Sequence, residues 1–182
     1  PILALIGLSD FDYSGLVLYD GVEYAAGEQP RSYVPWWFLI STPPVVLVGV
    51  LLSLWPVRRG TLVPRLLLWG VFLLPVSMIV LRDSTIYDGI RHLLFTYPIL
   101  VVLAASGWWG WLSRRERPWL QRVALALLAV GLLDVAVFNV RAYPNQAIYF
   151  NQLVGGPRGA FLRYDMDYWG NCLLEATTWS RD

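Results

Sequence analysis

The chain has 182 residues and a net charge of +1, with 57% hydrophobic residues and only 15% charged ones. A soluble domain averages roughly 45–50% apolar and about 25% charged residues, so this composition indicates a membrane protein and excludes a disordered chain. The near-zero net charge argues against a nucleic-acid-binding role. A single cysteine, Cys172, excludes an internal disulfide, and no Cys/His spacing suggests a structural zinc site.

The beginning of the chain carries neither an initiating Met nor the features of a signal peptide. Residues 1–9 are apolar but too few to cross a bilayer. We therefore interpret the chain as a fragment of a longer protein, in which residues 1–32 form an outer juxtamembrane segment.

Four windows are long and apolar enough for a helix to cross a bilayer core of about 30 Å, which takes roughly 20 residues. They are Tyr33–Val57, Leu66–Leu81, Leu93–Ser113 and Val123–Val140. The second window extends back to Thr61 if Arg65 snorkels to the interface. The sequence thus predicts an all-α integral membrane fold, with four transmembrane helices in residues 33–142 and a small outer C-terminal cap in residues 143–182. Kinks are expected at prolines within the windows: Pro35, Pro43, Pro44, Pro75 and Pro98.

The arginines predict the orientation, because short cytoplasmic loops carry the excess of basic residues. The connections after the first and third windows are rich in arginine and are predicted to be cytoplasmic: Arg58, Arg59 and Arg65, then Arg114, Arg115, Arg117 and Arg122. The remaining segments are acidic or balanced in charge. Both ends of the chain are therefore expected on the outer side.

The loop between the second and third windows is the most polar stretch near the predicted membrane. Arg91 and His92 stand where the third helix should begin, and a guanidinium beside the free amides of a helix N-terminus is a favourable place for a phosphate. We interpret Arg91, with His92 and Tyr87 as neighbours, as a candidate contact for a lipid-linked phosphate. The alternative is that Arg91 pairs with Asp88 or Asp83, and that His92 only caps or packs at the interface.

Asp134 is an ionisable residue inside the fourth window. Such residues face a bundle interior or a water-filled cavity and need a partner. Arg91 or Arg82 could supply one if the fourth helix packs against the start of the third. The alternative is a protonated, hydrogen-bonded carboxyl group.

The predicted cap interleaves aromatic rings, amides and carboxylates. Flat apolar faces beside hydrogen-bonding edges suit sugar rings, and paired Asp residues can bind hydroxyl groups or a divalent ion. The candidate sugar or acceptor contacts are Asn151, Asp165, Asp167 and Tyr168, and a divalent metal ion is the cofactor that the carboxylates suggest. The alternative is an amphipathic cap that lies on the membrane and seals the helices.

Three stretches together carry a family resemblance. They are Val17–Gly21 followed by Tyr33–Pro44, the loop Tyr87–His92, and the tail segment Ile148–Gly156 with Asp167–Gly170. In their order and their placement between the predicted spans, they resemble the C-terminal half of bacterial GT-C-type integral-membrane glycosyltransferases. That class includes relatives of the protein O-mannosyltransferases and of the lipid A aminoarabinose transferases.

The resemblance implies an inverting glycosyltransferase of the bacterial inner membrane. Members of the class take a sugar from a polyprenyl-phosphate donor on the outer side and transfer it to a hydroxyl group. Their acidic catalytic base lies in the first outer loop of the family, which is absent from this chain. We therefore expect no catalytic residue here, and three partners: the lipid-linked sugar donor, the bilayer and the N-terminal half of the same protein.

A second hypothesis stays open, in which the chain is a non-enzymatic transporter or assembly subunit. An acidic pair in an outer loop after the first helix of the whole protein would favour the enzyme. Inverted pairs of broken helices would favour transport.

Overall fold

The computed structural model describes residues 15–55, 62–113, 118–166, 170 and 173–180, and most of them are helical. A short hairpin, β1 Leu16–Tyr19 and β2 Val22–Ala25, precedes the helices. The longer helices are α1 Tyr33–Ser41, α2 Pro44–Ser53, α3 Leu62–Leu81, α4 Tyr97–Leu112 and α5 Pro118–Arg141. Shorter elements are the 3-10 helices Arg91–Thr96, Gln146–Ile148 and Gln152–Val154, followed by α6 Gly156–Ala160 and α7 Leu173–Trp179.

Three helical segments are long and apolar enough to cross a membrane: Leu62–Leu81, Arg91–Leu112 and Pro118–Arg141. The pair α1 and α2 makes a fourth if it is counted as one span, although its two halves are bent by 114°. The prediction of a mostly helical fold with several candidate membrane-spanning helices is confirmed. The first window, however, forms two separate helices bent by 114° and not the single kinked helix that was predicted.

Two consecutive prolines explain the break between α1 and α2. A residue before proline is pushed out of the helical region by contact with the proline ring. Thr42, which precedes Pro43, is extended with φ −96° and ψ 132°, and Pro43, which precedes Pro44, has φ −56° and ψ 138°. Pro44 then fits the first turn of α2, where no backbone donor is needed. Pro75, by contrast, lies inside α3, which continues through it.

The same prolines leave the last carbonyl groups of α1 without donors. In an uninterrupted helix, the carbonyls of Leu39 and Ile40 would accept hydrogen bonds from the backbone amides of residues 43 and 44. Both of these residues are prolines, which have no amide hydrogen to donate. Asn151 replaces them from far along the chain: its side-chain Nδ2 donates to the Leu39 carbonyl at 2.6 Å, and its backbone amide donates to the Ile40 carbonyl at 2.8 Å.

The carbonyls of the next two residues, Ser41 and Thr42, also accept hydrogen bonds. The Tyr97 hydroxyl donates to the Ser41 carbonyl at 3.1 Å, and Asn151 Nδ2 donates a second time, to the Thr42 carbonyl at 2.9 Å. Irregular backbone at membrane depth is tolerated only where protein satisfies its polar groups. The break in the first span is therefore built jointly by α1, α4 and the tail.

Helices α2 and α4 pack closely, side by side and in the same direction. The Thr42 hydroxyl contacts the Tyr97 hydroxyl at 2.7 Å near the start of both helices, and the rings of Trp55 and Trp111 meet at 6.0 Å near their ends. Between them, Gly107 lets the backbones touch: a Cβ atom added there would lie 2.0 Å from the Gly49 carbonyl oxygen.

These contacts sort the loops into two ends of the bundle. At one end, the Arg65 guanidinium of α3 donates to the Ser53 carbonyl at 2.8 Å, and Gln121 of α5 donates to the Leu112 carbonyl at 2.7 Å. The other end, here called the hairpin end, carries β1 and β2, the loop 82–90 and the tail 142–166.

The β-hairpin was not predicted. Its strands pair antiparallel, with Leu16 opposite Ala25 and Tyr19 opposite Val22. Asp20 and Gly21 form the two-residue turn with φ values of 52° and 80°, and an Asp-Gly pair with two positive φ angles is the usual solution for a tight hairpin.

The hairpin, the helices and the tail share one hydrophobic core. Its buried side chains come from all three: Val17, Tyr33, Val34, Trp37, Phe38, Ile40, Phe72, Ile86, Ile90, Leu93, Leu100, Leu103, Phe150, Val154, Ala160 and Tyr164. The tail is therefore packed on the helices over residues 150–164, with Leu153 and Phe161 exposed.

Candidate functional site

The loop that precedes Arg91 is anchored on α1. Asp88 and Gly89 both adopt left-handed backbone angles, with φ 56° and 68°, and the Gly89 amide donates to the buried Tyr33 hydroxyl at 3.0 Å. A Cβ atom at Gly89 would lie 3.1 Å from the Trp37 ring. The turn therefore needs glycine both for its conformation and for its close approach to α1, and this fixes the start of the next helix.

Arg91 lies in the first turn after this loop, and its guanidinium makes three contacts with Tyr87 and Asp88. Its Nη1 donates to Asp88 Oδ2 at 2.9 Å, its Nη2 donates to the Tyr87 hydroxyl at 3.3 Å, and its guanidinium lies 4.7 Å from the centre of the Tyr87 ring. The His92 ring meets the same tyrosine edge-on at 4.8 Å. The structure thus brings Tyr87, Arg91 and His92 together, with Asp88 as a fourth member.

The ion pair of Arg91 with Asp88 matches the alternative interpretation of the loop. Both side chains are less than a third exposed, at 29% and 23%, so their charge-assisted bond is only partly screened by solvent. An anion approaching Arg91 would meet a guanidinium that is already neutralised on one edge. A phosphate that binds Arg91 must therefore share the guanidinium with Asp88 or displace the Asp88 carboxylate from it.

Asp165 extends the site from the tail. Its Oδ2 accepts a hydrogen bond from the Leu18 amide at 3.1 Å, which ties the tail to β1. Burial raises the pKa of the Asp165 carboxyl, the Leu18 amide opposes this, and the negative charge of Asp88 raises the pKa further. Because Asp88 acts on Asp165, the predicted sugar contact and the Arg91 loop belong to one electrostatic neighbourhood at the hairpin end.

Asn151, a second predicted sugar contact, does not join this neighbourhood. Asn151 is fully buried, and its side-chain Oδ1 accepts a hydrogen bond from the Leu153 amide at 3.0 Å. Its Nδ2 donates to the Leu39 and Thr42 carbonyls at the break after α1. These bonds give Asn151 a structural role and leave no polar group for a ligand. Asp167 and Tyr168 lie outside the described residues.

The described part of the chain contains no group of three or more His, Cys, Asp or Glu side chains that could hold a metal ion. The suggested divalent ion depends on Asp165 together with Asp167, and the latter is not described. The metal interpretation therefore stays a prediction from the sequence.

Asp134 has a different partner from the arginines that were expected. Gln152 Nε2 donates to Asp134 Oδ2 at 3.0 Å, and Asp134 forms no ion pair among the described residues. The nearby Tyr149 packs edge-on against Phe138 at 4.8 Å. Burial and the charge of Asp134 raise the pKa of Tyr149 to about 12.

Several contacts that shape the hairpin end were missed by the sequence interpretation. Trp36 Nε1 donates to the Tyr164 hydroxyl at 2.8 Å, and Arg163 forms an ion pair with Asp20 in the hairpin turn. The Gly21 amide also donates to the Arg163 carbonyl at 3.0 Å. These partners are more than 120 residues apart in the chain, and no local spacing indicates that they meet.

Comparison of the chain with family models, with curated proteins and with solved structures finds no match.

Proposed function

We propose that the chain is the C-terminal part of a membrane glycosyltransferase that uses a polyprenyl-phosphate-linked sugar and transfers the sugar to a hydroxyl acceptor on the outer face of the membrane. The observation that carries the proposal is the assembly at the hairpin end. A half-buried arginine there lies at the start of a membrane-length helix and is ion-paired with Asp88, and the charge of Asp88 also raises the pKa of the half-buried Asp165 carboxyl of the tail.

Arg91 is the proposed contact for the donor phosphate. A phosphate attached to a lipid stays near the headgroup plane, and Arg91 begins the segment Arg91–Leu112. The Tyr87 ring and Asp88 hold the guanidinium in place. A phosphate would then exchange for Asp88 on one edge of the guanidinium, which presents five N–H donors in a fork.

Asp165 is the proposed contact for a hydroxyl group of the sugar or of the acceptor. Carboxylate oxygens accept hydrogen bonds from hydroxyl groups, and Asp165 has one oxygen bound by the Leu18 amide. The raised pKa of Asp165 makes the group a better proton acceptor than an ordinary aspartate. The catalytic base itself is still expected elsewhere in the whole protein, as the resemblance implies.

The test is donor binding by the full-length protein with Arg91→Ala. Loss of a charge-assisted bond of about 1.5–3 kcal/mol should weaken binding of the polyprenyl-phosphate sugar roughly ten- to a hundredfold. Arg31→Ala is the matched control, because Arg31 is also ion-paired at the hairpin end, to Asp83 at 3.0 Å, but is 67% exposed and is not proposed to bind donor.

The variant Arg91→Lys separates the pairing of this arginine with Asp88 from its proposed binding of the donor phosphate. Lysine keeps the charge and can still pair with Asp88, but it lacks the fork that holds a phosphate and an aspartate together. A donor affinity close to that of Arg91→Ala is therefore expected. Unchanged donor affinity in Arg91→Ala, with normal expression and folding, would remove Arg91 from the site and favour the non-enzymatic hypothesis.

A further inference from the structure

The tail runs back along α5, away from the hairpin end. Each later residue of the tail meets an earlier residue of the helix, as three pairs show: Gln146 with Asn139 at 3.4 Å, Tyr149 with Phe138 at 4.8 Å and Gln152 with Asp134 at 3.0 Å. The first and the last are hydrogen bonds, and the second is an edge-on contact of two rings. The tail is therefore antiparallel to α5, and Gln152 makes the contact farthest from the end of the helix.

Helix α5 measures how far the tail descends. Asp134 lies seven residues before Arg141, the last residue of the helix, and seven residues at 1.5 Å each span about 10 Å. Because Arg141 is charged and ends a membrane-length helix, its guanidinium belongs in the headgroup region. Gln152 therefore lies about 10 Å below that region, which is acyl-chain depth in a leaflet whose hydrocarbon is roughly 15 Å thick.

The start of α4 gives a second, independent measure. Asn151 Nδ2 donates to the Thr42 carbonyl at 2.9 Å, and the Thr42 hydroxyl contacts the Tyr97 hydroxyl at 2.7 Å. Tyr97 follows the 3-10 helix Arg91–Thr96, whose six residues span roughly 12 Å at about 2.0 Å each. The arginine that begins this helix also begins a membrane-length segment. Both measures put this part of the tail at a similar depth.

The backbone of the tail is paired where it is deepest. The amides of residue 151 and of residues 153–156 all donate hydrogen bonds, to these acceptors: the Ile40 carbonyl, Asn151 Oδ1, the Asn151 carbonyl, the Gln152 carbonyl and again the Asn151 carbonyl. Irregular backbone at membrane depth is tolerated only where protein satisfies its polar groups. Asn151 and Val154 are buried beside α1, whereas the Leu153 side chain is 61% exposed.

We propose that residues 149–154 re-enter the bilayer leaflet at the hairpin end, and that Leu153 contacts lipid acyl chains about 10 Å below the headgroup region. An exposed leucine is favourable among acyl chains and unfavourable in water. The tail then returns to polar surroundings, because Arg163 forms an exposed ion pair with Asp20 of the hairpin turn. The tail is thus a re-entrant loop and does not lie flat on the membrane. This inference does not depend on the proposed glycosyltransferase activity.

The test uses the full-length protein with Cys172→Ser, in phosphatidylcholine nanodiscs, with one spin-labelled cysteine at a time. Leu153→Cys reports on the tail. Leu133→Cys, 63% exposed on α5, is the control at the same depth, and Tyr143→Cys, 77% exposed and just beyond the end of α5, is the control in the headgroup region. Collision rates are measured with dissolved oxygen, which concentrates among acyl chains, and with a polar nickel chelate, which is excluded from them.

We expect the ratio of oxygen to nickel collision rates at Leu153 to match the ratio at Leu133 and to exceed the ratio at Tyr143 several-fold. A ratio at Leu153 equal to that at Tyr143 would mean that the tail lies on the membrane surface and would overturn the proposal. Low rates with both reagents at Leu153 would also overturn it, because protein and not lipid would then cover the leucine.

A second measurement avoids the bulk of the spin label. In the same nanodiscs, a charged maleimide should modify the unlabelled thiol of Leu153→Cys several-fold more slowly than that of Tyr143→Cys, since the reagent and the reactive thiolate both require water. Equal rates of modification would contradict the acyl-chain position of Leu153.

Discussion

Replacing Asn151 by Asp tests the central long-range contact of the fold with almost no change in side-chain shape. Asn151 is 0% exposed, and its Nδ2 donates to the carbonyl oxygens of Leu39 at 2.6 Å and Thr42 at 2.9 Å. In Asn151→Asp, an oxygen takes the place of this nitrogen. The Leu153 amide keeps its acceptor, so the loss is confined to the two bonds at the break.

The magnitude follows from what the two carbonyls lose. A buried acceptor left without its donor costs about 1–3 kcal/mol, so two of them should lower the free energy of unfolding by about 2–6 kcal/mol. A protonated Asp could donate to one carbonyl and would give the lower part of this range. An ionised Asp would add the cost of a buried, unpaired charge and give the upper part.

The assay is reversible unfolding in mixed detergent micelles, combined with trypsin digestion at the exposed Arg158 and Arg163 of the tail. We expect Asn151→Asp to lower the stability and to speed cleavage in the tail. Gln146→Glu is the control, because Gln146 donates a single exposed bond of 3.4 Å outside the break, and it should stay within about 0.5 kcal/mol of the unmodified protein. If Asn151→Asp proved as stable as the control, the hydrogen bonds from the Asn151 side chain to the carbonyls at the break would not stabilise the fold, which would refute this reasoning.

Two further predictions concern packing and orientation. Gly107→Ala would place a methyl group 2.0 Å from backbone of α2 and should cost about 3 kcal/mol or more in an unfolding titration, whereas Gly110→Ala, with nothing within 4 Å, should be neutral or stabilising. For the orientation, each new cysteine is introduced into a variant of the protein from which Cys172 has been removed. In intact cells, an impermeant thiol reagent should then label Ser32→Cys but not Ser113→Cys, and the reverse pattern would contradict the orientation that the arginines predict.

Apolar windows of the sequence located the helices that are long and apolar enough to cross a membrane, since hydropathy over about 20 residues is a local property. The exception is the first window, where composition alone could not reveal the 114° bend. The signal was present in Pro43 and Pro44, which were expected only to kink the helix. The Asp20-Gly21 turn of the hairpin was likewise visible in the sequence and was not interpreted as one.

The candidate site was predictable where its contacts are local. Tyr87, Asp88, Arg91 and His92 lie within six positions of one another, and the pairing of Arg91 with Asp88 was one of the two stated alternatives. The approach of Asp165 to this loop and the burial of Asn151 depend on the tail returning across more than 60 residues. Residue type suggested that both amino acids bind a ligand, but only the fold separates the buried amide from the carboxylate at the site.

The break in the first span and the tail require each other, and this links the fold to the candidate site. Asn151 supplies donors to the Leu39 and Ile40 carbonyls, which Pro43 and Pro44 leave without amide partners, and so ties the end of α1 to the tail. Tyr33, at the start of α1, accepts the Gly89 amide and so fixes the turn that presents Asp88 to Arg91. The tail that is bonded to α1 through Asn151 also carries Asp165, which accepts a hydrogen bond from the Leu18 amide of β1 and whose pKa is raised in part by the charge of Asp88 in that turn. A defect at Asn151 should therefore disturb Arg91 as well, although the two residues are 60 positions apart in the chain.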